Sequence, residues 1–149
     1  MLQQQHKIKN ITYSPAPAFN LDEEYAVQHF TSSLIKENLI QSAHDISEGG
    51  LFICLMEKSF NRQLGFELFS DKNIRKDAFF FGESQGRIVI SCTAAQEEDI
   101  RRKAAATGIP VWHAGIVTND EVRIDGHNWG KVSDWKKLYD EALDNLLND

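Results

Sequence analysis

The sequence predicts an α+β domain in which helices pack on a mixed β-sheet. Two observations carry that class. Apolar residues recur at helical spacing in some segments and as short strand-like runs in others, in the order helix, strand, helix, strand, strand, helix, hairpin, helix. This order is neither strict βα alternation nor an all-β rhythm. The chain has 149 residues, of which 42% are hydrophobic and 26% charged, which suits one domain folded around a single core.

The elements follow in order. Residues 1–17 are polar and include Pro15 and Pro17 in Ser14-Pro15-Ala16-Pro17-Ala18. The prolines bias that stretch toward extended backbone, so it reads as a linker or tail, with the domain over 18–149. Asn20 is a plausible N-cap for a helix from Leu21 to Leu39, where Val27, Phe30, Leu34 and Ile35 share a face and Glu23 and Glu24 suit the first turn. Ser42 to Ile46 reads as a short strand. Gly50 to Phe60 is apolar nearly all round, which predicts a buried helix. Gly65 to Phe69 alternates as a strand does, and the charged stretch Asp71 to Asp77 then breaks the pattern with a loop or short helix.

The apolar run Ile88 to Cys92 reads as a central strand, and Ala94 to Ala106 as an amphipathic helix ended by Gly108 and Pro110. Val111 to Val117 and Glu121 to Ile124, joined by Thr118-Asn119-Asp120, read as a hairpin. Ser133 is expected to cap a last helix running to Leu147.

Two glycine loops stand out against this background. The first, His44-Asp45-Ile46-Ser47-Glu48-Gly49-Gly50-Leu51, opens the buried helix; the second, Phe81-Gly82-Glu83-Ser84-Gln85-Gly86-Arg87, opens the strand Ile88-Val89-Ile90. A serine and a glutamate ahead of a helix often form only an N-cap with acids suited to the dipole. The second loop is equally readable as a solvated turn with Arg87 as a surface charge. The functional alternative uses the same physics: unpaired N–H groups at a helix N-terminus bind anions, and glycines let the backbone approach closely. Asp45 adds a hard oxygen ligand of the kind Mg²⁺ takes alongside phosphates. Glu83, Ser84 and Gln85 place an acceptor, a hydroxyl and an amide in sequence. Both loops are expected to open on one cleft, flanked by more apolar surface, notably Phe79-Phe80-Phe81, than one small core absorbs.

A net charge of −6 and a pI near 5.3 argue against non-specific nucleic-acid binding. Cys54 and Cys92 lie in apolar runs without zinc-site or redox spacing and read as buried free thiols of a reducing compartment. No stretch approaches the roughly 18–20 apolar residues of a membrane span, and the start is polar, so a cytoplasmic chain is expected. Of the five histidines, only His44 lies in a candidate site. No Walker loop, GxSxG elbow or Cys–His pair is present.

The strings Ser42-Ala43-His44-Asp45-Ile46-Ser47-Glu48-Gly49-Gly50-Leu51 and Phe81-Gly82-Glu83-Ser84-Gln85-Gly86-Arg87-Ile88-Val89-Ile90-Ser91, followed by Gly115-Ile116-Val117, resemble the C-terminal domain of the AIR-synthase-related superfamily. Within it, the resemblance is greatest to the phosphoribosylformylglycinamidine synthases, and it covers about Ala18 to Leu147. It implies the last of four domains of a synthetase that converts formylglycinamide ribonucleotide, ATP and glutamine-derived ammonia to formylglycinamidine ribonucleotide. It also implies partners, namely the N-terminal domains of the same synthetase and a glutaminase subunit or domain. ATP or ADP and Mg²⁺ are implied as cofactors of the complete protein.

Carried across by the resemblance, Asp45 is the metal ligand, Ser47 the nucleotide-contacting hydroxyl, and Glu83, Ser84 and Gln85 the substrate-contacting triplet. No residue resembles the family's catalytic histidine, so the domain alone is expected to be inactive and to be a fragment or separately encoded piece, dimeric if its apolar face stays open. A non-catalytic nucleotide-binding or scaffold module, or a domain of another superfamily member, are the alternatives. The string Gly82-Glu83-Ser84-Gln85-Gly86-Arg87 argues against the last.

Overall fold

The computed structural model describes residues 19–147, without the side chains of 143–146. The linker expected over 1–17 lies outside the described residues. The elements are α1 (Leu21–Lys36), β1 (Ser42–Asp45), α2 (Gly50–Phe60), β2 (Leu64–Leu68), α3 (Lys76–Phe81), β3 (Ile88–Ser91), α4 (Ala94–Thr107), β4 (Gly115–Asn119), β5 (Glu121–Ile124), β6 (His127–Lys131) and α5 (Val132–Leu147). Among them no helix is long and apolar enough to cross a membrane.

The local signals explain most boundaries. The Asn20 side chain accepts from the N–H groups of Asp22 and Glu23, so α1 starts where the cap residue directs it, although it ends at Lys36 rather than Leu39. Helix α4 starts at Thr93, whose N–H and hydroxyl both donate to Gln96 Oε1 at 2.9 Å, and ends at Gly108 in a left-handed conformation. Ser133 lies inside the first turn of α5 instead of capping it, because β6 runs directly into the helix at Val132.

The α+β class and the mixed sheet are as expected, but the strands divide between two sheets. A four-stranded sheet has the order β4-β2-β5-β6, in which β2 pairs antiparallel with β4 and parallel with β5; β1 and β3 form a separate antiparallel ribbon. Three expectations are corrected here. The run Ile88 to Cys92 is not a central strand: β3 has β1 as its neighbour, and β2 is central instead. Its continuous apolar character reflects burial on both faces, with Val89 packed on one cluster and Ile90 and Cys92 on another. Nor is there one core. Leu51, Phe52, Met56, Phe66, Leu68, Phe79, Phe80, Val122, Ile124 and Val132 form the larger cluster, while Phe30, Leu34, Ile100 and Ala104 join α1 to α4 in a second. The ribbon separates them.

The third correction concerns the hairpin. Strands β4 and β5 do not pair with each other, because β2 lies between them: Phe66 sits opposite Val117 on one side and Val122 on the other. Residue Gly65 permits this, since a Cβ there would stand 2.5 Å from Glu121 N and 2.6 Å from its carbonyl carbon, with the carbonyl oxygen closer still. The hairpin that does form is β5–β6, closed by Asp125-Gly126 with φ of 51° and 79°. An Asp-Gly pair is the usual signal for such a two-residue turn, and here it marks the hairpin that Thr118-Asn119-Asp120 does not form.

Asp125 also ties that turn to the rest of the sheet. Its carboxylate accepts from Lys76 Nζ at 2.6 Å, Ser70 N at 2.8 Å and Ser70 Oγ at 2.7 Å. These bonds, that from Lys76 first, hold the carboxyl well below the usual carboxylate range. A depressed folded-state pKa contributes stability that is complete above the unfolded pKa and is lost as pH falls through the folded value. Asp125→Asn keeps a residue suited to positive φ but removes the charge. It should cost about 1 kcal/mol near neutrality, after allowance for the exposed Lys76 end, and should flatten the acid limb. Urea midpoints of parent and variant at pH 7 and pH 3 check this, and equal differences at both pH values would count against it.

Candidate functional site

The first loop leaves β1 at Asp45 and enters α2 through two left-handed glycines, Gly49 (φ 77°) and Gly50 (φ 72°). A Cβ on Gly50 would stand 2.7 Å from the Phe80 carbonyl oxygen and from Phe81 Cα, so the loop presses on the end of α3 as only glycine allows. The N-cap of α2 is Gly49, with no side-chain cap. Ser47 is therefore not the cap that the simpler reading required. Its side chain is exposed, and its backbone carbonyl accepts from Gly50 N at 3.1 Å.

The second loop leaves α3 at Gly82 and enters β3 at Ile88. Because Asp45 pairs with Ile88 in the ribbon, both loops emerge at the same end of it. Two bonds join them directly: Ile46 N donates to Arg87 O at 2.8 Å, and Gly49 N donates to Glu83 Oε1 at 3.0 Å. The expected common location of residues 45–50 and 82–87 is what the structure has. Arg87 is not a surface charge. Its guanidinium donates to Gly82 O and Phe79 O, both at 3.1 Å, and lies 5.9 Å from the Phe79 ring centre. It thereby satisfies carbonyls at the end of α3, and burial lowers its pKa. Nothing in the local spacing marked this role.

The individual candidates sit as follows. Asp45 is exposed, with its Oδ1 3.3 Å from His44 Nδ1. His44 Nδ1 is 2.6 Å from the Asp45 backbone oxygen; a carbonyl only accepts, so Nδ1 carries the proton. Glu83 is engaged by Gly49, whereas Ser84 and Gln85 are exposed and make no side-chain hydrogen bond among the described residues. Among the described residues no three His, Cys, Asp or Glu side chains gather as a metal site, so Asp45 offers one carboxylate and not a cage. That fits Mg²⁺ held jointly by one carboxylate, phosphate oxygens and water.

The exposed charge on the loops is negative. The loops carry Asp45, Glu48 and Glu83, and Glu24 Oε2 lies 3.0 Å from where a Cβ on Gly86 would be. The one cation within the two loops, Arg87, is spent on carbonyls. A divalent cation, or basic groups from outside these loops, would offset this charge for a phosphate.

The expected apolar surplus is smaller than predicted, because Phe79 and Phe80 are buried and only Phe81, at 48%, is substantially exposed. Phe81 and Trp129 line a cavity of about 230 Å³ that also contacts Phe80, Ile124 and His127. A second, of about 450 Å³, lies by Ser70, Lys72, Ile74 and Asp125, and neither is lined by residues 45–50 or 82–87. Of the two thiols, Cys54 is buried and its pKa is pushed up by burial, while Cys92 is only half-buried.

The chain is 40% identical over 117 residues to phosphoribosylformylglycinamidine synthase subunit PurL of Salinibacter ruber, an alignment covering 76% of this chain and 15% of that protein. The same subunit of Thermoanaerobacter sp. (strain X514) is 31% identical over 130 residues, covering 87% of this chain and 17% of that one. The chain thus spans about a sixth of the length of these curated relatives. In three dimensions it is similar to Thermotoga maritima PurL complexed with FGAR, with a TM-score of 0.68 at 14% identity over 86% of this chain and 24% of that one. For T. maritima PurL complexed with ATP the TM-score is 0.62 at 15% identity, over 72% and 20%. These likenesses establish a shared fold. Residues 9–126 match the family described as AIR synthase related protein, C-terminal domain, and the chain belongs to that family.

Proposed function

We propose that this chain is the C-terminal domain of a phosphoribosylformylglycinamidine synthase, the ligase that makes formylglycinamidine ribonucleotide from formylglycinamide ribonucleotide, ATP and glutamine-derived ammonia. The observation that carries the proposal is the joining of the Asp45–Gly50 and Gly82–Arg87 loops at one end of the ribbon, with exposed Asp45, Ser47, Ser84 and Gln85 on the pair. The relatives' names and the FGAR and ATP complexes of T. maritima PurL support the choice of ligands.

In this reading Asp45 contributes the carboxylate for Mg²⁺ and Ser47 a hydroxyl for the nucleotide, while Ser84 and Gln85 face the ribonucleotide. Bound Mg²⁺ would offset phosphate charge and supply electrostatic stabilisation during phosphoryl transfer. The remaining domains of the synthetase would supply the opposite wall and the basic groups that the acidic loops lack. In this reading the acid–base chemistry also falls to the other domains, and the chain by itself turns nothing over. Glutaminase as partner, self-association through the Phe81–Trp129 surface and a cytoplasmic location belong to the same proposal.

The test is Asp45→Asn in the complete synthetase. Mg²⁺-dependent ATP binding, followed by calorimetry, should weaken about tenfold or more, since a hard cation loses its charged ligand while shape is kept. Unchanged nucleotide and Mg²⁺ affinity would remove Asp45 from the site. Product formation by the 149-residue chain alone with ammonia, ATP and the ribonucleotide would overturn the division of labour.

A further inference from the structure

We infer that Glu83 is a positioning residue that fastens the second loop to the N-terminus of α2, leaving Ser84 and Gln85 as the ligand-facing pair of the triplet. The second half of this statement rests on the proposed function; the fastening itself does not.

The chemistry at Gly49 calls for an acceptor. Helix α2 begins without a side-chain cap, and Ser47 contributes only its backbone carbonyl to the turn. A carboxylate from 34 residues away fills the gap, with Glu83 Oε1 3.0 Å from Gly49 N. A negative acceptor at the positive end of a helix is favoured over a neutral one, and charge-assisted bonds are the stronger kind. The rest of the loop shows why one more tie matters. Its two ends are already held, by Arg87 folded back onto Gly82 O and by Ile46 N on Arg87 O. Glu83 holds the segment between them. The tie takes one acceptor site of the carboxylate and fixes its direction at the start of α2. Ser84 and Gln85, next in the chain, are exposed and uncommitted among the described residues. Their placement relative to the first loop therefore depends on the Glu83 bond.

The experiment is amide hydrogen exchange at Gly49 in the 149-residue chain without ligand, for parent, Glu83→Gln, Glu83→Ala and Glu83→Asp. Glutamine keeps the oxygen at the same reach without the charge and should exchange about threefold faster than the parent, about half of the bond being kept, whereas alanine loses the acceptor and aspartate is one methylene short. Both should exchange about tenfold faster, the size of one charge-assisted bond. Equal exchange in parent and Glu83→Ala overturns the inference. In the complete synthetase, binding of formylglycinamide ribonucleotide should be preserved in Glu83→Gln and weakened in Glu83→Ala. A Glu83→Gln variant that protects Gly49 yet binds as poorly as Glu83→Ala identifies a direct ligand contact and likewise overturns the positioning role. Because the exchange arm contains no ligand, a failure of the proposed function leaves its outcome intact.

Discussion

Phe52→Ala is expected to remove about 3–5 kcal/mol of stability, the range for truncating a buried aromatic residue. The ring is 3% exposed and meets Phe66 at 6.2 Å, Phe81 and Trp129 at 5.7 Å and Trp135 at 5.5 Å, joining α2 to β2, α3, β6 and α5. Rings held by four different elements cannot all move inward to fill the void, so the cavity term persists. Since a domain of this size is stable by about 5–15 kcal/mol in total, the variant should be barely folded. The consequence reaches the site, because Phe81 leads directly into Gly82 and the second loop. Urea unfolding of parent and variant measures the loss; a cost below about 1 kcal/mol would mean that the aromatic cluster is not the centre of this core.

Gly65→Ala should be comparably severe, for a backbone reason. The Cβ would enter space held by the backbone of Glu121, where the chain passes from one side of β2 to the other. A flexible side chain could swing aside, but a main chain fixed in two strand pairings cannot, and Thr118 Oγ1 bonds Glu121 O at 2.7 Å to brace the same crossing. Strain of this kind belongs to the upper part of the range for single substitutions, about 3 kcal/mol or more. Thermal unfolding followed by circular dichroism checks it. A melting temperature within about 2 °C of the parent's would show that the crossing relaxes at little cost.

Much of this architecture was legible residue by residue. The Asn20 cap, the largely apolar Gly50 to Phe60 run and the stop at Gly108 each depend on neighbours within a few positions, and each element lies where those neighbours put it. The two loop motifs were legible too, and their residues carried the family resemblance. The errors share one form. Ile88 to Cys92 reads as central because it is mostly apolar, but that run records two covered faces and says nothing about hydrogen-bonded neighbours. Strands β4 and β5 were paired because they are adjacent in sequence, although the strand between them is more than 40 residues earlier. The alternative of Arg87 as a surface charge fails for the same reason, since the carbonyls it satisfies belong to a helix end that becomes its neighbour only on folding.

Local covalent and conformational preferences thus determined which segments are helices or strands, which faces are apolar and where the glycine loops fall, because those properties depend on side chains a few residues apart. Tertiary structure alone decided that β2 separates β4 from β5, that the ribbon divides two apolar clusters, and that Glu83 meets Gly49. Each of these joins groups distant in the chain, and the choice among possible partners is made by what the rest of the fold leaves unpaired: an uncapped helix start takes the carboxylate that reaches it, and a strand edge takes the backbone that a glycine lets past.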